Sequence, residues 1–251
     1  MNKGRDFTST VPQFTVITVC RNESSNIRLT CESIISQRFE FFEWIVVDGA
    51  STDGTLDILE EYKDRIDCLI SEPDAGIYNA MNKGISKASG EYLIFMNGGD
   101  SFSDADVLNA VASAPQKEII YGDIAFAGLN SEVKHFPDVL PEGFLLENMM
   151  PHQASYIKRQ LFELHGSYDE SYAVAGDYDL FVRLIEVSRV SSTRVDRVLA
   201  FFDNEGVSSD STQRALRKRE NHRVRCRYFS RYRYSLKRLR QSLRNGLNYF
   251  R

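Results

Sequence analysis

Two carboxylates stand where a protein can easily do chemistry. The β-branched run Ile45-Val46-Val47 ends on Asp48, passes through Gly49-Ala50-Ser51-Thr52-Asp53-Gly54, and enters a helix at Thr55. Tyr92-Leu93-Ile94-Phe95-Met96 ends in the same way, on Asn97-Gly98-Gly99-Asp100. Acids at the carboxyl ends of buried parallel strands lie where open α/β sheets bind their ligands. A later pair, Asp177 and Asp179, opens a helical segment. Hard divalent cations take carboxylate oxygen, and a departing diphosphate needs such a cation to absorb its charge. A third carboxylate away from the metal could take a proton from an acceptor hydroxyl. The competing reading of each acid is a helix N-cap or plain loop residue, since Asp at a strand-to-helix junction is common for capping alone.

Other chemistries fit poorly. Gly49-Ala50-Ser51-Thr52-Asp53-Gly54-Thr55 has the glycine spacing of a phosphate-cradling loop but lacks its lysine, which argues against an ATPase. Ala50 stands two positions after Asp48, where an aspartyl-phosphate phosphatase needs a second aspartate. No GxGxxG follows a strand, so dinucleotide binding has no support.

The elements that must carry these acids alternate. Strands are predicted over Phe14–Val19, Trp44–Asp48, Cys68–Ile70 and Glu91–Met96. Helices are predicted over Glu23–Gln37, Leu56–Tyr62, Ile77–Ala88 and Val107–Ser113. That order indicates a parallel, doubly wound half. The rhythm then changes. Short strands Glu118–Tyr121 and Ile124–Phe126 flank Gly122-Asp123, and Phe136–Asn148 is irregular. Helices near Lys158–Leu164 and Asp177–Val187 and a strand around Val195–Phe202 follow.

At 251 residues and 42% hydrophobic content the chain suits one α/β domain with an appendage, or two small domains. No apolar run approaches the ~18 residues of a membrane span, and Met1–Gln13 lacks the apolar segment of a signal peptide. Cys20, Cys31, Cys68 and Cys226 have no CxxC spacing and read as buried free thiols of a cytosolic protein rather than a zinc site or disulfide set. The net charge of −4 hides an asymmetry: Arg214–Arg251 holds 14 Lys/Arg and one acid, Glu220. An acidic globule with a basic tail points to an anionic partner, membrane or nucleic acid. In the tail, Tyr232, Leu236, Leu239, Leu243, Leu247 and Phe250 form one helical stripe among arginines and lysines. A basic amphipathic helix of this kind fits an anionic membrane surface; the alternative is a helix packed on the acidic domain or on a second subunit. Nucleic acid ranks lower, because nothing else in the chain offers a base-stacking surface.

Several segments, in order, carry a family resemblance. They are Thr15–Glu23, Val47–Thr55, Ser71–Gly84, Gly90–Asp100, His152-Gln153 and Ala175–Leu184. The chain resembles the inverting family-two glycosyltransferases of GT-A fold, in particular bacterial O-antigen and exopolysaccharide members. The resemblance implies an α/β, Rossmann-like nucleotide-diphospho-sugar transferase domain over residues 10–210, followed by a basic helical tail over 211–251. It implies that Thr18, Glu23 and Asp48 line the nucleoside pocket, with Asp48 accepting from the uracil of a UDP-sugar. Asp100 would hold Mn²⁺ or Mg²⁺ against the diphosphate, beside Asn97 and Gly99, and Asp177 would be the catalytic base. The acceptor would be a lipid-linked glycan, which places the enzyme in the cytoplasm at the inner face of the cell membrane.

The departures matter as well. Asn97 and Gly99 stand where acids are frequent in the metal motif, so Asp100 would be the single carboxylate on the metal. Gly176 replaces a frequent Glu beside the base, Asn79 a frequent Asp, and Met81 a frequent Arg, which leaves Lys83 to contact the donor. Asp177 and Asp179 point about 200° apart on a helix and cannot share one proton transfer. Asp179 is the candidate for an i,i+4 pair with Arg183. His152 is either a plain loop histidine or a contact to diphosphate or acceptor; Tyr78 and Trp44 read as packing residues. Two rival functions stay open. A sugar nucleotidylyltransferase lacks support because Thr18–Glu23 holds no glycine. A non-catalytic nucleotide-sugar-binding subunit is kept alive by the incomplete metal motif.

Overall fold

The computed structural model describes residues 11–126, 132–202 and 213–229. Strand β1 (Phe14–Cys20) is buried along its whole length, and β2 (Phe42–Asp48) nearly so. They pair in parallel from Phe14 with Phe42 to Cys20 with Asp48. Burial on both faces removes any need for polar alternation, which is why both read as continuous apolar runs. Strand β3 (Cys68–Ser71) adds to β2 and β4 (Tyr92–Phe95) to β1, both parallel. Helices α1 (Ile27–Ile35), α2 (Thr55–Glu60) and α3 (Ile77–Lys87) make the crossovers. All four strands therefore end on one edge of the sheet, with Asp48 and the Asn97–Asp100 turn side by side.

Beyond β4 the sheet becomes mixed. Strand β8 (Ser155–Lys158) runs antiparallel to β4, and β6 (Ile119–Phe126) antiparallel to β8. Strand β9 (Ser192–Phe202) follows β6 in parallel and carries the two-residue β5 (Ser101–Phe102) on its far edge. The order is β3-β2-β1-β4-β8-β6-β9-β5, with β7 (Val133–Lys134) beside β6. Helices α4 (Val107–Ala112), α5 (Arg159–His165), α6 (Gly176–Phe181) and α7 (Arg214–Tyr228) complete the fold.

Several details differ from the sequence-based expectation. The two strands predicted around Gly122-Asp123 are one, because Gly122 interrupts nothing: a Cβ there would lie 2.6 Å from the Leu199 side chain. The glycine allows β9 to pass close by, at the point where the β6–β9 register shifts. The helix predicted over Asp177–Val187 is α6 followed by one π turn, Val182–Val187, closed by a bond from Ser188 N–H to the Arg183 carbonyl. Helix α7, within the stretch expected as a basic helical tail, packs on the domain with Val224 and the following Phe229 buried. The amphipathic stripe Tyr232–Phe250 lies outside the described residues. All four cysteines are free; Cys20 and Cys31 are buried, Cys68 is half-buried, and Cys226 is exposed on α7, against expectation.

Close packing of α3 on β1 yields a test. A Cβ on Gly84 would sit 2.5 Å from Cγ2 of Ile17, a residue held in the fully buried β1. Alanine gains about 1 kcal/mol of helix propensity over glycine, whereas overpacking a strand core costs about 1–3 kcal/mol. Gly84→Ala should therefore lower the urea midpoint of unfolding, and a raised midpoint would mean that α3 does not pack this closely.

Candidate active site

The acids sit on loops that knit the sheet edge together. Asp48 is fully buried. Its Oδ2 accepts from Ser51 N–H at 3.0 Å and Ser71 Oγ at 2.8 Å. Its Oδ1 accepts from the Ser51 hydroxyl and faces Cys20 Sγ at 3.9 Å. Burial, first, and the Asp48 charge push the Cys20 thiol well above its usual range, so it stays protonated as a donor. These donors tie the Gly49–Gly54 loop to the end of β2, and a uracil N–H could reach Asp48 only by displacing one of them. Ala50 and Asn22 adopt left-handed backbone, both with φ of +55°. Asn22 N–H donates to Ser51 Oγ, and Asn22 Oδ1 accepts from Thr52 N–H. Gly49 carries no Cβ because Asp74 Oδ2 would lie 2.3 Å from it.

Of the residues expected around the nucleoside, Thr18 is buried in β1, where its hydroxyl accepts from Trp44 Nε1 at 3.0 Å. Glu23 is brought to the sheet edge: its N–H donates to Thr55 Oγ1, and its side chain packs where a Cβ of Gly98 would be. Lys83 holds the β3–α3 loop, with its ammonium 2.8 Å from both Glu72 Oε1 and the Pro73 carbonyl.

Asp100 lies on a turn anchored from beneath by α1. The buried Thr30 hydroxyl donates to the Asp100 carbonyl at 2.7 Å and accepts from Gly99 N–H at 3.0 Å. Gly99 takes a φ of +95°, a conformation open to glycine. The Asp100 carboxylate is buried and accepts from Gln153 Nε2 at 3.0 Å. His152, the preceding residue, places Nε2 3.0 Å from Asn97 Nδ2 and Nδ1 3.6 Å from Asp177 Oδ2. The His152-Gln153 dipeptide thus links the Asp100 turn to Asp177. Asn97 Oδ1 and His152 Nδ1 are buried and have no hydrogen-bond partner among the described residues.

Asp177 sits in the first turn of α6 and is 7% exposed. Its Oδ1 accepts from Tyr178 N–H at 2.8 Å and from the Tyr78 hydroxyl at 3.3 Å, while Oδ2 faces His152. Burial and the Asp177 charge raise the Tyr78 phenol well above its usual range, so it remains a donor. Tyr78 stacks on Tyr168 with centroids 5.4 Å apart. Its ring would lie 2.8 Å from a Cβ on Gly176, which explains the small residue beside Asp177. Asp179 has the structural place expected of it: Oδ2 meets Arg183 Nε at 2.8 Å, and Arg183 also donates to the carbonyls of His165, Gly166 and Ser167. Tyr78 is therefore both a packing residue and a site residue, a role that sequence spacing does not signal. Gln153 and Thr30 were missed as well, because each acts through a contact made across the sheet.

The profile of Glycosyl transferase family 2 matches residues 15–181. The chain belongs to that family. An uncharacterized glycosyltransferase of Mycobacterium tuberculosis is 32% identical over 208 residues, covering 80% of this chain and 79% of the relative. A PGL/p-HBAD biosynthesis glycosyltransferase of Mycobacterium bovis is 29% identical over 207 residues, covering 80% of each. The solved structure of residues 1–349 of S. aureus TarS in complex with UDP-GlcNAc is similar with a TM-score of 0.64 at 21% identity. That likeness covers 79% of this chain and 61% of the solved one, so the glycosyltransferase spans about three-fifths of it, and it establishes the GT-A fold.

Among the described residues of the glycosyltransferase, no three His, Cys, Asp or Glu side chains converge as a metal site. The Asp100 carboxylate, the unpartnered Asn97 amide oxygen and the His152 imidazole nevertheless offer donors that Mn²⁺ or Mg²⁺ accepts. They fit part of a coordination shell, the remainder falling to a bound diphosphate.

The two acids of α6 should separate in a denaturation experiment. Asp179→Ala removes one partner of a buried pair while Arg183 keeps its carbonyls, so a loss of about 3 kcal/mol is expected, the lower end for such a break. Asp177→Asn should change urea stability by less than about 1 kcal/mol. The reverse ranking would mean that Asp177 is the structural acid.

Proposed function

We propose that this glycosyltransferase moves a hexosyl or N-acetylhexosaminyl group from a UDP-sugar to a hydroxyl of a lipid-linked glycan, with inversion, in cell-surface polysaccharide synthesis. The observation that carries the reading is Asp177: one oxygen is held by Tyr78 and the Tyr178 N–H, and the other faces His152 Nδ1 at 3.6 Å. The UDP-GlcNAc bound by TarS supports the donor class.

In this reading Asp177 Oδ2 takes the proton of the acceptor hydroxyl as its oxygen attacks the anomeric carbon. The bond from that carbon to the diphosphate breaks in the same displacement, which inverts the configuration. Tyr78 and the Tyr178 N–H fix the carboxylate so that its second oxygen has one bearing. Asp100, Asn97 and His152 would hold a divalent cation, which when bound neutralises charge on the departing diphosphate. Glu23 and the Gly98-Gly99 backbone border the donor side.

Asp177→Asn should leave UDP affinity intact and lower transfer by ~10²–10⁴-fold, as for the loss of a general base. Asp100→Ala should instead abolish the gain in UDP affinity on adding Mn²⁺ and leave less than about a tenth of turnover. Calorimetry and a transfer assay on the two variants decide the matter: Asp177→Asn with near-normal transfer would remove the base, and undiminished Mn²⁺-linked UDP binding in Asp100→Ala would remove the metal assignment. Loss of neither would favour a non-catalytic binding subunit.

The basic segment beyond α7 is proposed as the membrane contact, at ~1 kcal/mol per Lys/Arg near an anionic surface. No helix among the described residues is long and apolar enough to cross a membrane. Because α7 belongs to the domain, the informative truncation follows Phe229 rather than Asp210. The truncated enzyme should lose sedimentation with anionic liposomes and keep UDP binding; equal sedimentation of both forms refutes the contact.

A further inference from the structure

Helix α7 carries seven Lys/Arg and a single acid, Glu220. That acid is turned inward and is 8% exposed. Its Oε1 accepts from Ala173 N–H at 3.0 Å, and its Oε2 from Val174 N–H at 2.9 Å and Ala175 N–H at 3.1 Å. Three successive N–H groups converging on one anion form a concave nest, and charge-assisted bonds of this kind are the strong ones. Ala175 is the N-cap residue of α6 and has no side chain to cap with. Glu220 instead takes the N–H of that N-cap residue from another element, 45 positions along the chain.

The placement bears on Asp177, two residues further on. The Ala175 carbonyl accepts the Asp179 N–H, so the segment that Glu220 holds is continuous with the first turn of α6. On one side of that turn Gly176 is pressed against the Tyr78 ring. On the other, Tyr178 supplies the N–H to Asp177 Oδ1, and its own hydroxyl donates to the Leu145 carbonyl and receives Arg225 Nε at 3.1 Å. Helix α7 therefore grips both flanks of Asp177 without touching it.

We propose that Glu220 is a positioning residue for transfer: by gathering the N–H groups of Ala173, Val174 and Ala175 it sets where α6 starts and so the bearing of the Asp177 carboxylate. This rests on Asp177 being the base. A general base contributes only along one line to the proton it takes, and a misplacement of about 1 Å can cost ~10²-fold. Among the described residues the hydrogen bonds of Glu220 go to Ala173–Ala175 and not to the β1, β2 and β4 loops of the donor side, which should bind as before. The signature is a fall in kcat with donor affinity retained, which a general loss of fold would not produce.

The test uses Glu220→Gln in the full chain. Glutamine keeps the shape but turns an amide NH₂ toward N–H donors. Transfer kcat should fall at least tenfold, toward the ~10²-fold of a displaced base, with UDP affinity by calorimetry within about threefold of wild type. A smaller fall in kcat, or joint loss of kcat and UDP affinity, overturns the assignment. Should Glu220→Gln fail to fold, Glu220→Asp retains the charge and withdraws it by one methylene. The same two thresholds then apply, and failure of both variants to fold makes Glu220 a stability residue and likewise overturns it. Asp177→Asn run alongside separates the two claims: normal transfer there removes the base itself, whereas an inactive Asp177→Asn beside a normal Glu220→Gln removes only the positioning role.

Discussion

A buried carboxylate keeps its charge only if donors replace the water it has lost, and this constraint shapes the whole site edge of the protein. Asp48 takes its donors from Ser51 and Ser71, Asp100 from Gln153, Asp179 from Arg183, and Glu220 from three backbone N–H groups. Asp123, on β6, takes Phe136 N–H, His135 and Arg194. Its hydrogen bonds, with Arg194 first among them, hold its carboxyl below the usual range against the opposing effect of burial. Most of these donors come from segments distant in sequence, so satisfying the acids also fastens those segments together. On Asp177 the donors of one oxygen are supplied, and the other oxygen faces a histidine at 3.6 Å, too far for a hydrogen bond.

That division of the two Asp177 oxygens explains its neighbours. A protonated phenol on Oδ1 requires a tyrosine that titrates far above neutrality, and burial supplies that. Close approach of the ring requires glycine at position 176. A larger residue there would press on Tyr78 or force α6 away from α3. The exchange of a frequent Glu for Gly beside Asp177 is thus coupled to the aromatic pair Tyr78–Tyr168, not an isolated loss.

Charge asymmetry along the chain acquires a structural meaning through α7. Its outward arginines and lysines carry the basic character that continues in the sequence toward Arg251, while its one acid faces the domain. Arg227 meets Asp169 at 3.2 Å, and Arg223 lies over the Tyr172 ring at 4.0 Å, so the helix is seated by contacts of both signs. The exposed pair is worth little by itself. The buried hydrogen bonds of Glu220 and the burial of Val224 hold the helix in place.

Much of this architecture was legible in the amino-acid order because it is local. Apolar runs with two buried faces identify parallel strands, a glycine-rich turn after an acid identifies a strand-to-helix junction, and i,i+4 spacing identifies Asp179–Arg183. Asp48, Asp100 and Asp177 follow from such patterns together with the family resemblance. What tertiary structure decided is which side chain meets which across the sheet. The Thr18 hydroxyl meets Trp44 Nε1, since strand alternation fixes the side it faces but not what lies there. His152 and Gln153 in the turn before β8, Tyr78 of α3 and Glu220 of α7 lie far apart in the chain, and no spacing rule relates them. Sequence could place the acids at the ends of their strands; only packing could determine which donors reach them, because a hydrogen bond depends on distance in space and not on separation along the chain.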